Sequence, residues 1–237
     1  MRLHDMNWQA VEAYLQHDDR VVVPIGSTEQ HGFLSLGTDA ILAVRVAIEA
    51  AEPLGIPVLP GMPFGLAPYF TAFPGSLTVR TETLLAVVGD LLDTLEAQGF
   101  RRFAIVNGHG GNTPVQFWAR EWTARARDHR VQVQFTSWYA APRVAALAES
   151  VEHDPAHGGW FENFPWTRLP GVALPADGKD VLSRDVVGLA SPADIRELTG
   201  DGSFGGSYAK DDDVMQQIWQ TGVDEVREML EDGWAFA

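Results

Sequence analysis

Glu29 and His31 stand two residues apart in Gly26-Ser27-Thr28-Glu29-Gln30-His31-Gly32, and Asp39 follows close behind. Two carboxylates and an imidazole just past an apolar run suit a divalent metal such as zinc or manganese. His109 lies in Asn107-Gly108-His109-Gly110-Gly111-Asn112, where the glycines permit close backbone approach to a ligand. His157 and Glu162 flank Gly158-Gly159-Trp160-Phe161. A carboxylate among such apolar neighbours is costly to bury unless a cation compensates it. Each group has a plainer reading beside the chemical one. Glu29 and His31 could be surface loop residues, and Asp39 an acid that complements a helix dipole. His153 and Asp154 read equally well as a solvated pair. Asn107 and Asn112 read as braces of their turn. His4, His17 and His129 lie in polar segments and read as surface residues. Tyr69, Phe70, Trp138 and Trp166 could wall a small substrate pocket, although aromatics more often fill a core.

The elements that must position these groups alternate between strand and helix, which predicts a mainly parallel sheet with crossover helices. Val21 to Ile25 and Phe103 to Val106 read as buried strands, each running directly into a motif. Ligands of open α/β sheets bind in the crevice beyond the strand ends. Helices are predicted from Trp8 to Gln16, Asp39 to Ala51 with Thr38 as cap, Thr81 to Gln98, Pro114 to Asp128, and Asp212 to Glu231. Leu77 to Val79 reads as a brief strand, Val131 to Trp138 as a longer one, and Pro57 to Pro60 as an extended piece. Ala156 to Gly206, rich in glycine and proline, reads as long functional loops with short elements.

The 237 residues are enough for one sizeable domain, 1–237, and no linker or repeat divides them. Hydrophobic residues make up 46% and no run approaches a bilayer span. The amino-terminal residues have no apolar stretch of a secretory signal, so a cytoplasmic location is expected. The absence of cysteine leaves any metal to His, Asp or Glu. A formal charge of −15 argues against nucleic acid and anionic membranes as partners. The turn at His109 is neither a dinucleotide fingerprint nor a phosphate-binding loop, which disfavours a nucleotide-binding protein.

Taken in order, the Glu29–His31 motif with Leu36-Gly37-Thr38-Asp39, the His109 hexapeptide, and His157 with Glu162 resemble the creatininase (creatinine amidohydrolase) family. The resemblance runs from about Val21 to Gly206. It implies a three-layer α/β/α fold, a metal-dependent hydrolase, two divalent ions (zinc or manganese) per chain, and a homohexamer. It assigns Glu29 and His109 to one metal, His31 and Glu162 to the other, and Asp39 to a bridge between them. His157 becomes the proton shuttle, with a pKa expected near working pH, and Asp154 a substrate-side acid. The chain departs from the family pattern in three places. The loop from His31 to Asp39 is one residue short, Gly111 replaces a glutamate of creatininase itself, and Trp160 replaces an acid. The expected chemistry is attack of a dinuclear-metal-activated hydroxide on a small, cyclic amide. Tyr69, Trp138 and Trp166 are the expected substrate contacts. The alternatives are hydrolytic C–C cleavage of a cyclic diketone from a cyclitol or sugar, peptide trimming, deformylation, and a non-catalytic metal-stabilised binding protein.

Overall fold

Val21, Val22, Val23 and Ile25 are wholly or almost wholly buried, as expected of a strand covered on both faces. In the computed structural model, which describes residues 1–235, they belong to β1 (Arg20–Ile25). The one-domain expectation over 1–237 therefore extends two residues outside the described chain. β1 pairs in parallel with β2 (Arg102–Asn107), and β2 with β3 (Gln132–Ser137). On the free side of β1 the 57–62 stretch makes parallel bridges, Val58 to Val22 and Met62 to Ile25. The chain thus leaves β1 to one side and returns on the other through β2. The crevice between those two strand ends is a topological switch point.

Side chains alternate between the two faces of the sheet. Val22, Ala104 and Val106 pack against α2 (Thr38–Ala51), α5 (Pro142–Val151) and α8 (Asp212–Asp232). Val21, Val23, Ile25, Phe103 and Ile105 pack against α1 (Trp8–Tyr14), α3 (Thr81–Gln98) and α4 (Pro114–Arg125). The result is the three-layer α/β/α arrangement. In α3, Leu84, Val88, Leu92 and Leu95 recur at helical spacing and are buried. Gly99, at φ 117°, closes that helix by donating its N–H to Leu95. Burying a leucine of this kind contributes roughly 1.5–3 kcal/mol.

Some expectations shift. α1 stops at Tyr14 and α4 at Arg125. Thr38 is the first residue of α2 and not its cap. Gly37 caps the helix, while the Thr38 hydroxyl donates to Ser35 O at 2.7 Å. Leu77 to Val79 forms no strand, because its amides bond to two separate loop carbonyls, of Thr28 and Gly65. α5 was not foreseen, although Pro142 in its first turn and Val144, Leu147, Ala148 and Val151 at helical spacing carry the signal. Between 156 and 206 the loops hold two short helices, α6 (Arg184–Leu189) and α7 (Pro192–Thr199).

Candidate metal centre

Glycine at two strand ends brings α2 to the switch point. A Cβ on Gly26 would lie 2.5 Å from Ala40 Cα, and one on Gly108 would lie 2.3 Å from Asp39 O. Without those side chains the first turn of α2 docks directly on the ends of β1 and β2. Asp39 then sits between the turn carrying Glu29 and His31 and the turn carrying His109. Glu162 and His157 arrive from the long loop. Asn107 and Asn112 brace the second turn as expected. Asn107 donates to His109 O at 2.7 Å, and Asn112 donates to Gly26 O at 3.0 Å.

The Asp39 carboxylate faces both imidazoles. Oδ1 lies 3.0 Å from His31 Nε2, and Oδ2 lies 2.9 Å from His109 Nδ1. Glu162 Oε1 is 3.7 Å from His31 Nε2, and Glu29 Oε2 is 3.2 Å from His109 Nδ1. The far nitrogen of each ring is anchored on the main chain. His31 Nδ1 donates to Glu29 O at 3.0 Å, and His109 Nε2 donates to Leu66 O at 2.9 Å. Each carbonyl fixes the tautomer that leaves a bare nitrogen facing the carboxylates. Glu29 Oε2 and Asp39 Oδ2 are buried and make no hydrogen bond. Lone pairs opposed in this way repel unless a cation lies between them. Glu29, Asp39 and His109 form one potential ligand group, His31, Asp39 and Glu162 a second, and Glu29, His31 and His157 a third. Oxygen and imidazole donors of this kind fit zinc or manganese.

In the protein alone, protons fill that role. Burial works against charge on His31, but the Asp39 and Glu162 carboxylates raise its pKa to about 10. Burial opposes His109 likewise, and its contact with Asp39 raises it to about 9. Burial and the Asp39 charge push Glu29 upward. Burial also raises Glu162, whose Oε2 accepts from Gly158 N–H at 2.7 Å. Asp39, against its own burial, is held low by the two imidazoles. His157 behaves in the opposite sense. With the imidazoles of the cluster charged, burial and the nearby His31 charge lower it to about 3, below the value near working pH expected of a shuttle. Its ring stacks on Phe70, with centroids 4.5 Å apart, and lies against His31 at the same separation.

A cavity of about 580 Å³ opens over the cluster. Tyr69, 44% exposed, and Trp138, 1% exposed, both line it, as do Asp154, at a left-handed φ of 52°, and His157. Trp166 is not in the wall. It stacks on Phe164 with centroids 5.4 Å apart, packs against Trp219, and carries the Arg45 guanidinium 3.8 Å above its ring. His153 is exposed and pairs with Glu149, and His4, His17 and His129 are exposed as expected. Three contributors escaped the sequence reading. Tyr139 lines the cavity with a phenol that burial raises to about 12. Phe204 closes on His157 at 5.1 Å. Gln30 touches His157 directly. Gln30 carried a signal in its place between two candidate ligands, whereas Phe204 lies 47 residues beyond His157 and had none. Gly111 cannot carry the missing glutamate in this backbone. A Cβ there would lie 2.0 Å from Leu66 O and 2.5 Å from His109 Nε2.

Fold and site together define a three-layer α/β/α protein with a buried acid–imidazole cluster at the switch point of its parallel sheet. A family model described as Creatininase: Creatinine amidohydrolase matches residues 4–230. The chain belongs to the creatininase family. Among curated relatives it is 31% identical over 116 residues to the creatinine amidohydrolase of Pseudomonas putida, covering 46% of this chain and 45% of that one. It is 38% identical over 102 residues to the mycofactocin precursor peptide peptidase of Mycolicibacterium smegmatis, covering 39% and 40%. It is 30% identical over 107 residues to the 3-dehydro-scyllo-inosose hydrolase of Thermotoga maritima, covering 44% and 34%. The chain thus spans less than half the length of each of these relatives. A crystal structure of creatinine amidohydrolase superposes with a TM-score of 0.79 at 22% identity, over 100% of this chain and 98% of that one. Structures of creatininase include a zinc–zinc form and a manganese form.

Proposed function

We propose that the chain is a metal-dependent hydrolase that cleaves a small amide, with two divalent ions, zinc or manganese, held per chain. Glu29 and His109 would hold one ion and His31 and Glu162 the other, with Asp39 shared. The observation that carries this reading is the placing of the two Asp39 oxygens, 3.0 Å from one bare imidazole nitrogen and 2.9 Å from another. When bound, such ions supply Lewis acidity to a carbonyl oxygen and lower the pKa of water towards neutrality. The residues do the rest. The main-chain carbonyls of Glu29 and Leu66 keep both ligand rings oriented. Phe70, Phe204 and Trp138 give the cavity an apolar wall. His157 enters neutral, beside the cluster, and can accept a proton and return it to a leaving nitrogen. Tyr139 stays protonated and can donate to a substrate oxygen. Asp154 and Tyr69 are substrate contacts at the wall. Trp166 drops out of that role because it packs away from the cavity.

The activities of the relatives bear on substrate only as chemistry. Creatinine, a precursor peptide and a keto-cyclitol name three carbonyl substrates of relatives, and the C–C cleavage of a cyclic diketone remains the second reading. The absence of an acid at Gly111 disfavours creatinine. A single domain, a homohexamer and a cytoplasmic location complete the reading. Among the described residues no helix is long and apolar enough to cross a membrane.

Metal analysis of protein purified without chelator tests the core of the proposal. Two equivalents of zinc or manganese per chain are expected, and Asp39→Ala is expected to lose both metal and turnover. A chain that binds no divalent ion would overturn it. His157→Ala should retain both ions and lose rate by roughly a hundred-fold or more. Screening creatinine, lactams, N-formyl compounds, short peptides and keto-cyclitols then separates the two substrate readings.

A further inference from the structure

Gln30 lies between two candidate ligands, yet its side chain turns away from both. Its amide orientation is fixed at each end. Oε1 accepts from Gly32 N–H at 3.0 Å, and Nε2 donates to Gly202 O at 2.9 Å. A flipped amide would set oxygen against oxygen and N–H against N–H. The same Nε2 also lies 3.0 Å from His157 Nε2, while the main-chain carbonyl of Gln30 lies 2.8 Å from that ring nitrogen. One neighbour can only donate and the other can only accept. His157 Nε2 therefore finds a partner whether or not it carries a proton. Both contacts fall on Nε2, and His157 lines the cavity.

We infer that Gln30 is a positioning residue for His157, supporting both neutral tautomers of its ring through one two-sided contact at Nε2. With the proton on Nε2, the carbonyl is satisfied and Nδ1 accepts from a bound molecule. With the proton on Nδ1, the amide is satisfied and Nδ1 donates. The ring changes role by moving a proton between its own nitrogens through solvent or substrate, with no change in net charge. Gly202 keeps the contact close. It has a φ of 93°, and a Cβ there would lie 1.9 Å from Gln30 Oε1. The same bond ties down the loop that carries Phe204 against His157. The inference rests on the proposed role of His157 only for its use in turnover, not for the contact itself.

Long-range proton–nitrogen NMR on protein with labelled histidine tests it without a substrate, with and without added zinc. The wild-type His157 nitrogens are expected at intermediate shifts, the average of two exchanging tautomers. Gln30→Met keeps the side-chain length and removes the donor, leaving the main-chain carbonyl. Its His157 shifts should move fully to the Nε2–H values. Gln30→Glu, which offers only acceptor oxygens, should do the same if the methionine variant fails to fold. Fixed wild-type shifts that neither variant changes would overturn the inference. Absence of zinc binding would overturn the proposed function instead, and the metal-free spectra would still decide the role of Gln30.

Discussion

At the scale of single residues, the site is a problem of opposed lone pairs. Asp39 is 3% exposed and His31 0%, so water cannot relieve the repulsion. A proton or a metal must do so, and the two compete. His31 and His109 have folded pKa values of about 10 and 9, above the ~6.5 of an unfolded histidine. Their contribution to metal-free stability is complete below about pH 6.5 and is lost as pH rises through about 9 to 10. The raised Glu29 acts in the same sense above its ordinary range. The depressed His157 acts in the other, costing stability as pH falls below about 6.5 towards 3. Metal-free protein should therefore lose melting temperature steadily from about pH 6.5 to pH 10, and zinc affinity should rise over the same interval as protons leave the rings. A flat melting profile in Asp39→Asn would assign the effect to this cluster. An unchanged slope in that variant would place it elsewhere.

Elements fix these residues through backbone contact more than through side-chain packing. Gly26 and Gly108 admit the first turn of α2, and Gly111 admits the Leu66 carbonyl that orients His109. Gly108→Ala should push Asp39 away from His109, at a cost of about 1–3 kcal/mol for overpacking, read as a lowered denaturant midpoint. Gly111→Ala should displace the carbonyl from His109 Nε2 and weaken zinc binding by roughly 10- to 100-fold. Equal affinity in that variant would show that the outer bond does not matter. The sheet was legible because β1 and β2 are near-continuous apolar runs, and α2, α3 and α8 because their apolar residues recur at helical spacing. The Glu29, His31, Asp39 and His109 cluster was legible because its motifs follow two strands directly. Tyr139 and Phe204 were not, because their contacts depend on how loops far apart in sequence fold over the cavity; Gln30 was marked by its place between two candidate ligands, but its contact with His157 was not. Trp166 was misplaced for a related reason. An aromatic beside a candidate ligand looks the same in sequence whether it turns to the cavity or, as here, stacks between Arg45 and Phe164.

At the scale of the whole molecule, the candidate ligands come from segments far apart in the chain, joined otherwise by packing and by hydrogen bonds such as Asn112 to Gly26 O and Gln30 to Gly202 O. Glu29 and His31 follow β1, Asp39 begins α2, His109 follows β2, and Glu162 lies in the long loop, which is tied to the body through contacts such as Ser35 N–H to Thr167 O and the Gln30 amide to Gly202 O. An ion bound there binds only the folded chain, because no short stretch contains a complete ligand group. Occupancy should thus appear as global stability. At an ion concentration a hundred times Kd, one site adds about 2.7 kcal/mol, and each kcal/mol raises the midpoint by roughly 2–4 °C in a chain of this size. A rise on the order of 5–11 °C is expected on adding zinc to stripped protein, reversed by chelator. The net charge of −15 supplies the competing explanation, that ions screen an acidic surface. Magnesium at the same ionic strength screens equally well but is poorly matched to imidazole ligands, so it should give little of the rise. Asp39→Ala should lose the zinc response while its surface charge is barely altered. A zinc response as large in Asp39→Ala as in the natural sequence would place the ions on the surface and remove the cluster from the stability of the fold.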